Sequence, residues 1–157
     1  MLNLNFATLI KGYRQHAALP ASELLAGLGW AERAGAPGYA RNGALLTSLA
    51  LLSCGAPVSG PLKIEAGPWL GRKLQNGANR LADWLSQRHG APELIALDGG
   101  LGQVAERLAG RRGIVAFIQG SGPAGGHITL LDGRNAVAAC RSAETRQPLE
   151  VRFWEIA

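Results

Sequence analysis

Residues 42–55 read NGALLTSLALLSCG, and this stretch decides the fold. Asn42 is a good N-cap, its side chain able to accept from the first free N–H groups, and Gly55 sits where a C′ glycine belongs. Between them the residues are apolar almost all round, which is the pattern of a helix enclosed by its own domain rather than one lying on a surface. Asn42 to Cys54 is therefore expected to be the central buried helix, with the rest of the chain arranged to cover it.

Upstream, Phe6, Leu9, Ile10 and Tyr13 fall at helical spacing, so an amphipathic helix covers roughly the first 15 residues and Pro20 marks its end. Leu24, Leu25 and Leu28 carry the apolar face of a second helix, and Trp30 ends that stretch ahead of the loop AGAPG. Downstream, Ala56 to Gly71 reads as Pro- and Gly-punctuated loop with a short extended piece at Leu62 to Glu65. Leu74, Ala78, Leu81 and Leu85 mark a further amphipathic helix, ended by Gly90 and Pro92.

The second half reads as a sheet. Glu93 to Leu97 is a strand candidate, Gln103 to Leu108 a short helix, and GIVAFI (Gly113 to Ile118) a continuous apolar run of the kind covered on both faces. After the glycine-rich loop GSGPAGG, the strand HITLL leads into Asp132-Gly133, a dipeptide favoured in type I′ hairpins. A returning strand is expected from about Arg134 to Cys140, and a last one from Arg152 to Ile156. Helices first and then a mostly antiparallel sheet make an α+β layout.

With 157 residues the chain fits a single domain, 1–157, large enough to bury a core without metals or many disulfides. Hydrophobic residues make up 47% and charged residues 17%, which excludes a disordered chain. Two cysteines, Cys54 and Cys140, permit at most one internal disulfide and no CxxC-based zinc site, so neither metal nor cofactor is expected. The net charge of +5 suits an anionic surface, but the cations are scattered and no aromatic residues interleave with them as a nucleic-acid platform needs. No nucleic-acid partner is expected. Met1 to Arg14 lacks a secretory signal pattern and Gly43 to Leu52 is too short to cross a bilayer, so the expectation is cytoplasmic synthesis without membrane insertion.

Residues 94–105 superficially match a dinucleotide fingerprint, yet the next strand ends at Gln119 with no acidic residue to hold a ribose, which makes this a tight turn. His16 and His89 sit among polar residues at helix ends. His127 follows Gly125-Gly126 and opens a strand, a position that suits either a satisfied structural histidine or a catalytic base. If Asp132 and Gly133 are the two residues of a hairpin loop, His127 faces Ala138, the place where a hydrolase would carry the group that orients its base. In the first turn after the Asn42 cap, where the helix dipole would hold a cysteine as a thiolate, the residue is Ala44. Cys54 lies at the wrong end of that helix. Cys140 is open to three readings: core, disulfide half or relocated thiol.

Gly38-Tyr39 with Asn42, the apolar helix, Gly113-Ile114-Val115, Gly126-His127-Ile128-Thr129-Leu130 with Asp132-Gly133, and Phe153-Trp154 together resemble the fourth family of type VI secretion amidase effectors. The resemblance spans nearly the whole chain in order, its most specific segments being Gly-Tyr…Asn and Gly-His-x-Thr-Leu. It implies a papain-like fold related to NlpC-type wall peptidases, delivery into the periplasm of a rival bacterium by the type VI secretion machinery, and cleavage of peptidoglycan stem peptides between D-glutamate and meso-diaminopimelate. It also implies a cognate immunity protein. Carried over by position, His127 matches the base, Ala44 falls on the nucleophilic cysteine and Ala138 on the orienting aspartate. Thr47 stands at the family's arginine and Leu131 at its tryptophan. Gly43, Thr47 and Gly126 are the expected substrate-contacting positions.

These residues support three readings: an amidase effector with its nucleophile replaced, a pseudoenzyme that keeps the fold for binding a wall peptide or a protein, and a nucleic-acid-binding module motivated only by charge.

Overall fold

The computed structural model describes residues 3–120, 125–144 and 147–156, so the centre of the glycine-rich loop (121–124) and the first two residues of the expected N-terminal helix lie outside the described residues. Helix α1 spans Phe6–Ala17, with Asn5 Oδ1 accepting from Thr8 N at 3.0 Å, and α2 spans Ala21–Gly27. Helix α3, Gly43–Ser53, is the central buried helix: every residue from Ala44 to Leu52 is buried, and Asn42 Oδ1 accepts from Leu45 N at 2.8 Å.

The expected extended piece after α3 is a two-stranded ribbon, β1 (Leu62–Lys63) paired with β2 (Lys73–Leu74). Leu74 thus belongs to a strand, and helix α4 begins only at Ala78, after Gly77, to run Ala78–His89. The main sheet holds β3 (Glu93–Ile95), β4 (Arg112–Ile118), β5 (His127–Asp132) and β6 (Glu150–Glu155), with α5 (Gly100–Leu108) between β3 and β4. Its order is β3-β6-β4-β5 and all its pairings are antiparallel.

Because side chains alternate across a strand, β4 and β5 feed two cores. Ile114, Ala116, Ile128 and Leu130 pack with α3, α4 and the N-terminal helices. On the other face Val115, Phe117 and Leu131 pack with residues of α5 and with Ala136, Ala139, Cys140 and Ala143. The unbroken apolar run of β4 is therefore explained by cover on both faces.

The expected hairpin fails as well. Residues Ala136–Glu144 form helix α6, so no strand returns from Asp132-Gly133 and His127 is not opposite Ala138. His127 is registered with Phe117 of β4 instead, and Ala138 lies on the exposed side of α6. A type I′ hairpin needs positive φ at both central residues, and of this pair only Gly133 has it, at 96°. The Asp132 carboxylate accepts from Arg134 N at 2.8 Å, while Asn135 accepts from Asp132 N at 2.9 Å and donates to Leu130 O at 2.8 Å. These bonds close the strand end, and the next segment is alanine-rich with strong helix propensity. The buried positions Ala136, Ala139, Cys140 and Ala143 recur at helical spacing.

At the opposite edge Arg111 binds Glu93 through two bonds, at 2.7 and 3.1 Å, and Glu155 at 2.9 Å, with its guanidinium 4.6 Å from the Phe153 ring centre. The Arg111 hydrogen bond holds the Glu93 carboxyl below its usual range. A carboxyl depressed in the folded state stabilises the protein above its unfolded pKa and loses that contribution as pH falls through the folded value. Both carboxylates are substantially exposed, so screening limits each pair to under about 1 kcal/mol, and the ring contact adds about 0.5–1 kcal/mol. Arg111→Met is expected to lower stability by about 1–2 kcal/mol at pH 7 and by less at pH 3, as read by urea denaturation at the two pH values.

Candidate active site

The N-terminus of α3, the start of β5 and the loops before α3 and α4 converge on one cleft of about 440 Å³. Its walls include Gly38, Asn42, Gly43, Ala44, Asn76, Ala78, Gly126 and His127. Among the described residues that line it, none is Asp, Glu, Lys or Arg.

Contact between α3 and β5 sets the geometry. A Cβ built on Gly43 would overlap the carbonyl oxygen of Ile128 and would lie 3.3 Å from His127 Cε1. Only glycine lets the first turn of the helix come this near the strand, and the imidazole stands beside that turn as a result. Ala44, the next residue, lines the same cleft. The first-turn N–H groups of a helix have no acceptor within it and carry the positive end of its dipole, so this end of α3 favours a developing negative charge.

Neutral amides hold the rim. Asn42 Nδ2 donates to Asn76 O at 3.2 Å, and Asn76 Nδ2 donates to Gly38 O at 3.1 Å. Ser48, buried on α3, donates to Gln75 O at 2.9 Å, and Gln75 Oε1 accepts from Gly77 N at 3.1 Å, which fixes the approach to α4. His127 is half-buried, with its ring nearly parallel to Phe117 at 19° and a centroid distance of 6.1 Å.

Of the positions expected from sequence, the structure brings Gly43, Ala44, Gly126 and His127 to the cleft. Thr47 is fully buried in α3, and its hydroxyl has no hydrogen-bond partner among the described residues. Ala138 is elsewhere, on α6, where its carbonyl oxygen accepts from Ser142 Oγ at 3.1 Å. Asn76 escaped the sequence reading, since a lone asparagine before a helix carries no signal of the distant loop it binds.

Neither cysteine is poised as a thiolate. Burial raises the Cys54 thiol, and burial followed by the Glu144 charge raises that of Cys140. Both are free, and both lie away from the cleft, Cys54 at the C-terminal end of α3 and Cys140 in α6. Among the described residues no cluster of His, Cys, Asp or Glu is arranged to hold a metal ion, and no helix is long and apolar enough to cross a membrane.

With its buried helix and antiparallel sheet the chain has an α+β fold of the papain-like, NlpC-type class, as its match to solved structures shows. Residues 39–154 match the family described as "Type VI secretion system (T6SS), amidase effector protein 4", and the chain belongs to that family. Among solved structures, the type VI effector Tae4 from Enterobacter cloacae is similar with 18% identity and a TM-score of 0.74, covering 99% of this chain and 98% of that one. The Tae4/Tai4 effector–immunity system from Salmonella typhimurium gives 17% identity and a TM-score of 0.74 over 99% of both chains. The Tae4–Tai4 complex from Enterobacter cloacae gives 16% identity and 0.71, over 99% of this chain and 100% of that one. No curated protein matches the chain.

Gly43→Ala is expected to destabilise the fold by about 1–3 kcal/mol, the range for overpacking a close contact. Chemical denaturation measures this, and the His127 ring resonances should move with it.

Proposed function

We propose that this chain is a peptidoglycan-directed amidase effector whose cleft keeps the base histidine, His127, but has alanine in place of the nucleophile, so that the molecule as it stands binds stem peptides without cutting them. The observation that carries the reading is the placement of Ala44 and His127 on one cleft, at the dipole-positive end of the buried helix. A thiol on the Cβ of residue 44 would be drawn toward its thiolate by the helix terminus and by a neighbouring imidazolium. Attack on the D-glutamate–diaminopimelate carbonyl would place the oxyanion near the first-turn N–H groups of α3, and His127 would then give its proton to the leaving amine. With a methyl in place of the thiol, the first step has no nucleophile.

The solved relatives bound to the immunity protein Tai4 support a cognate immunity protein as the partner here. Family membership supports synthesis in the producing cell and passage through type VI secretion machinery to a target periplasm. The reading of the chain as a binding-only pseudoenzyme draws on one further observation, the raised thiols and remote positions of Cys54 and Cys140, which leave nothing to replace the missing group.

Ala44→Cys is expected to release diaminopimelate-containing fragments from purified muropeptides at least about 10³-fold faster than the unsubstituted chain, a fraction of what a hydrolase loses with its nucleophile. Adding His127→Ala to that variant should abolish the gain. A folded Ala44→Cys protein that leaves every muropeptide intact by chromatography would sink the amidase reading.

A further inference from the structure

Asn79 occupies the first turn of α4, one residue beyond Ala78 in the cleft wall. The N-cap of α4 is Gly77, which makes no side-chain cap, and the Asn79 amide is not used to supply one. It reaches across to the end of β4, where Nδ2 donates to Gln119 O at 2.6 Å and Oδ1 accepts from Gln119 N at 3.3 Å. Both backbone groups of a single residue are thereby bound, as they would be by another strand. The amide extends the ladder one residue past Ile118, where β4 ends.

The same residue receives the chain when it returns. Gln119 Oε1 accepts from Gly126 N at 3.2 Å. Gly126 has φ of 83°, and a Cβ there would lie 2.5 Å from Asn79 Oδ1 and 2.8 Å from Phe117 O, so the backbone is pressed against the asparagine amide. His127 is the next residue, with its ring over Phe117. Departure of the loop is thus fixed by the Asn79 side chain, and its return by the side chain of the Gln119 that Asn79 holds, immediately before the histidine.

We infer that Asn79 is a positioning residue for His127: by clamping Gln119 and seating Gly126, it sets where the imidazole stands relative to the Cβ of residue 44. The inference uses the proposed role of His127 but concerns geometry that is measurable without turnover. A neutral amide suits the task, since it supplies one donor and one acceptor to a peptide group and places no charge beside the base.

Asn79→Ala tests it in two backgrounds. In the chain as it exists, the His127 ring resonances should shift or split in 1H–15N spectra. In the Ala44→Cys background, iodoacetamide alkylation of the introduced thiol should slow about tenfold at pH 6.5 as the thiolate loses its paired imidazolium. With muropeptide, kcat should fall about 10- to 100-fold with KM within about twofold, the signature of a misplaced group rather than lost binding. Leu85→Ala, which opens a cavity under α4 far along the helix from Asn79, controls for stability: it should lower Tm and leave the alkylation pH profile in place. Asn79→Asp, which keeps an acceptor for Gln119 N, should lie between parent and Asn79→Ala and serves if the alanine variant does not fold. His127 spectra and an alkylation profile like the parent's, with only Tm changed, would overturn the assignment. Should Ala44→Cys cleave nothing, the amidase reading falls, while the spectra and alkylation still decide the role of Asn79.

Discussion

The first turn of α3 lies against the carbonyl of Ile128 with no space for a side chain between them, and the other features of the site depend on that contact. A helix buried along its whole length has to be held by neighbours on every side. Here the strand at the sheet edge holds its beginning. Alternation along β5 sends Ile128 and Leu130 into the core that encloses α3. It also leaves Thr129 to meet Tyr13 of α1 through a 3.0 Å hydroxyl pair. Edge strand, buried helix and N-terminal helix are locked together, and the histidine at the head of the strand inherits its position from all three.

Around that contact the molecule separates its polar chemistry by type. Asparagine and glutamine amides tie the cleft loops to one another through bonds to backbone groups, while many of the formal charges pair off elsewhere. Arg14 binds Asp132, Arg33 binds Glu65, Arg111 binds Glu93 and Glu155, and Arg152 binds Asp83 and Glu150. Several cations behind the net charge of +5 are thus occupied in linking elements of the fold. A cleft lined by amides, glycines and small apolar groups keeps the field of the helix terminus unscreened by local counter-charge.

Much of this was legible in the amino-acid order because local and tertiary preferences agree. Asn42 and Gly55 bracket α3 as caps should, and the apolar run of β4 announced cover on both faces. Asp132-Gly133 misled because a dipeptide fixes a hairpin only when the segment after it can pair as a strand. Here that segment is alanine-rich and packs Ala136, Ala139, Cys140 and Ala143 at a helical period, and tertiary burial of that face outweighed the turn signal. Ala138 was therefore placed opposite His127 through a pairing that does not exist. Asn76 and Asn79 were invisible for a different reason: each acts on backbone 38 or 40 residues away, and nothing in their immediate neighbours marks the distant loop.

The position of β6 has a consequence for how the protein is made. Although it follows β3, β4 and β5 in sequence order, β6 lies between β3 and β4 in the sheet. Until residues 150–155 have left the ribosome, β3 has no strand to join and one side of β4 is open. Such long-range pairing slows folding, because distant segments must meet before the contacts that reward them can form. A growing chain therefore has its helices and the β4–β5 pair available early, but completes the platform beneath the cleft only after synthesis has passed that strand. The platform under the cleft therefore needs residues 150–155, and a ribosome-bound fragment lacking β6 does not possess it.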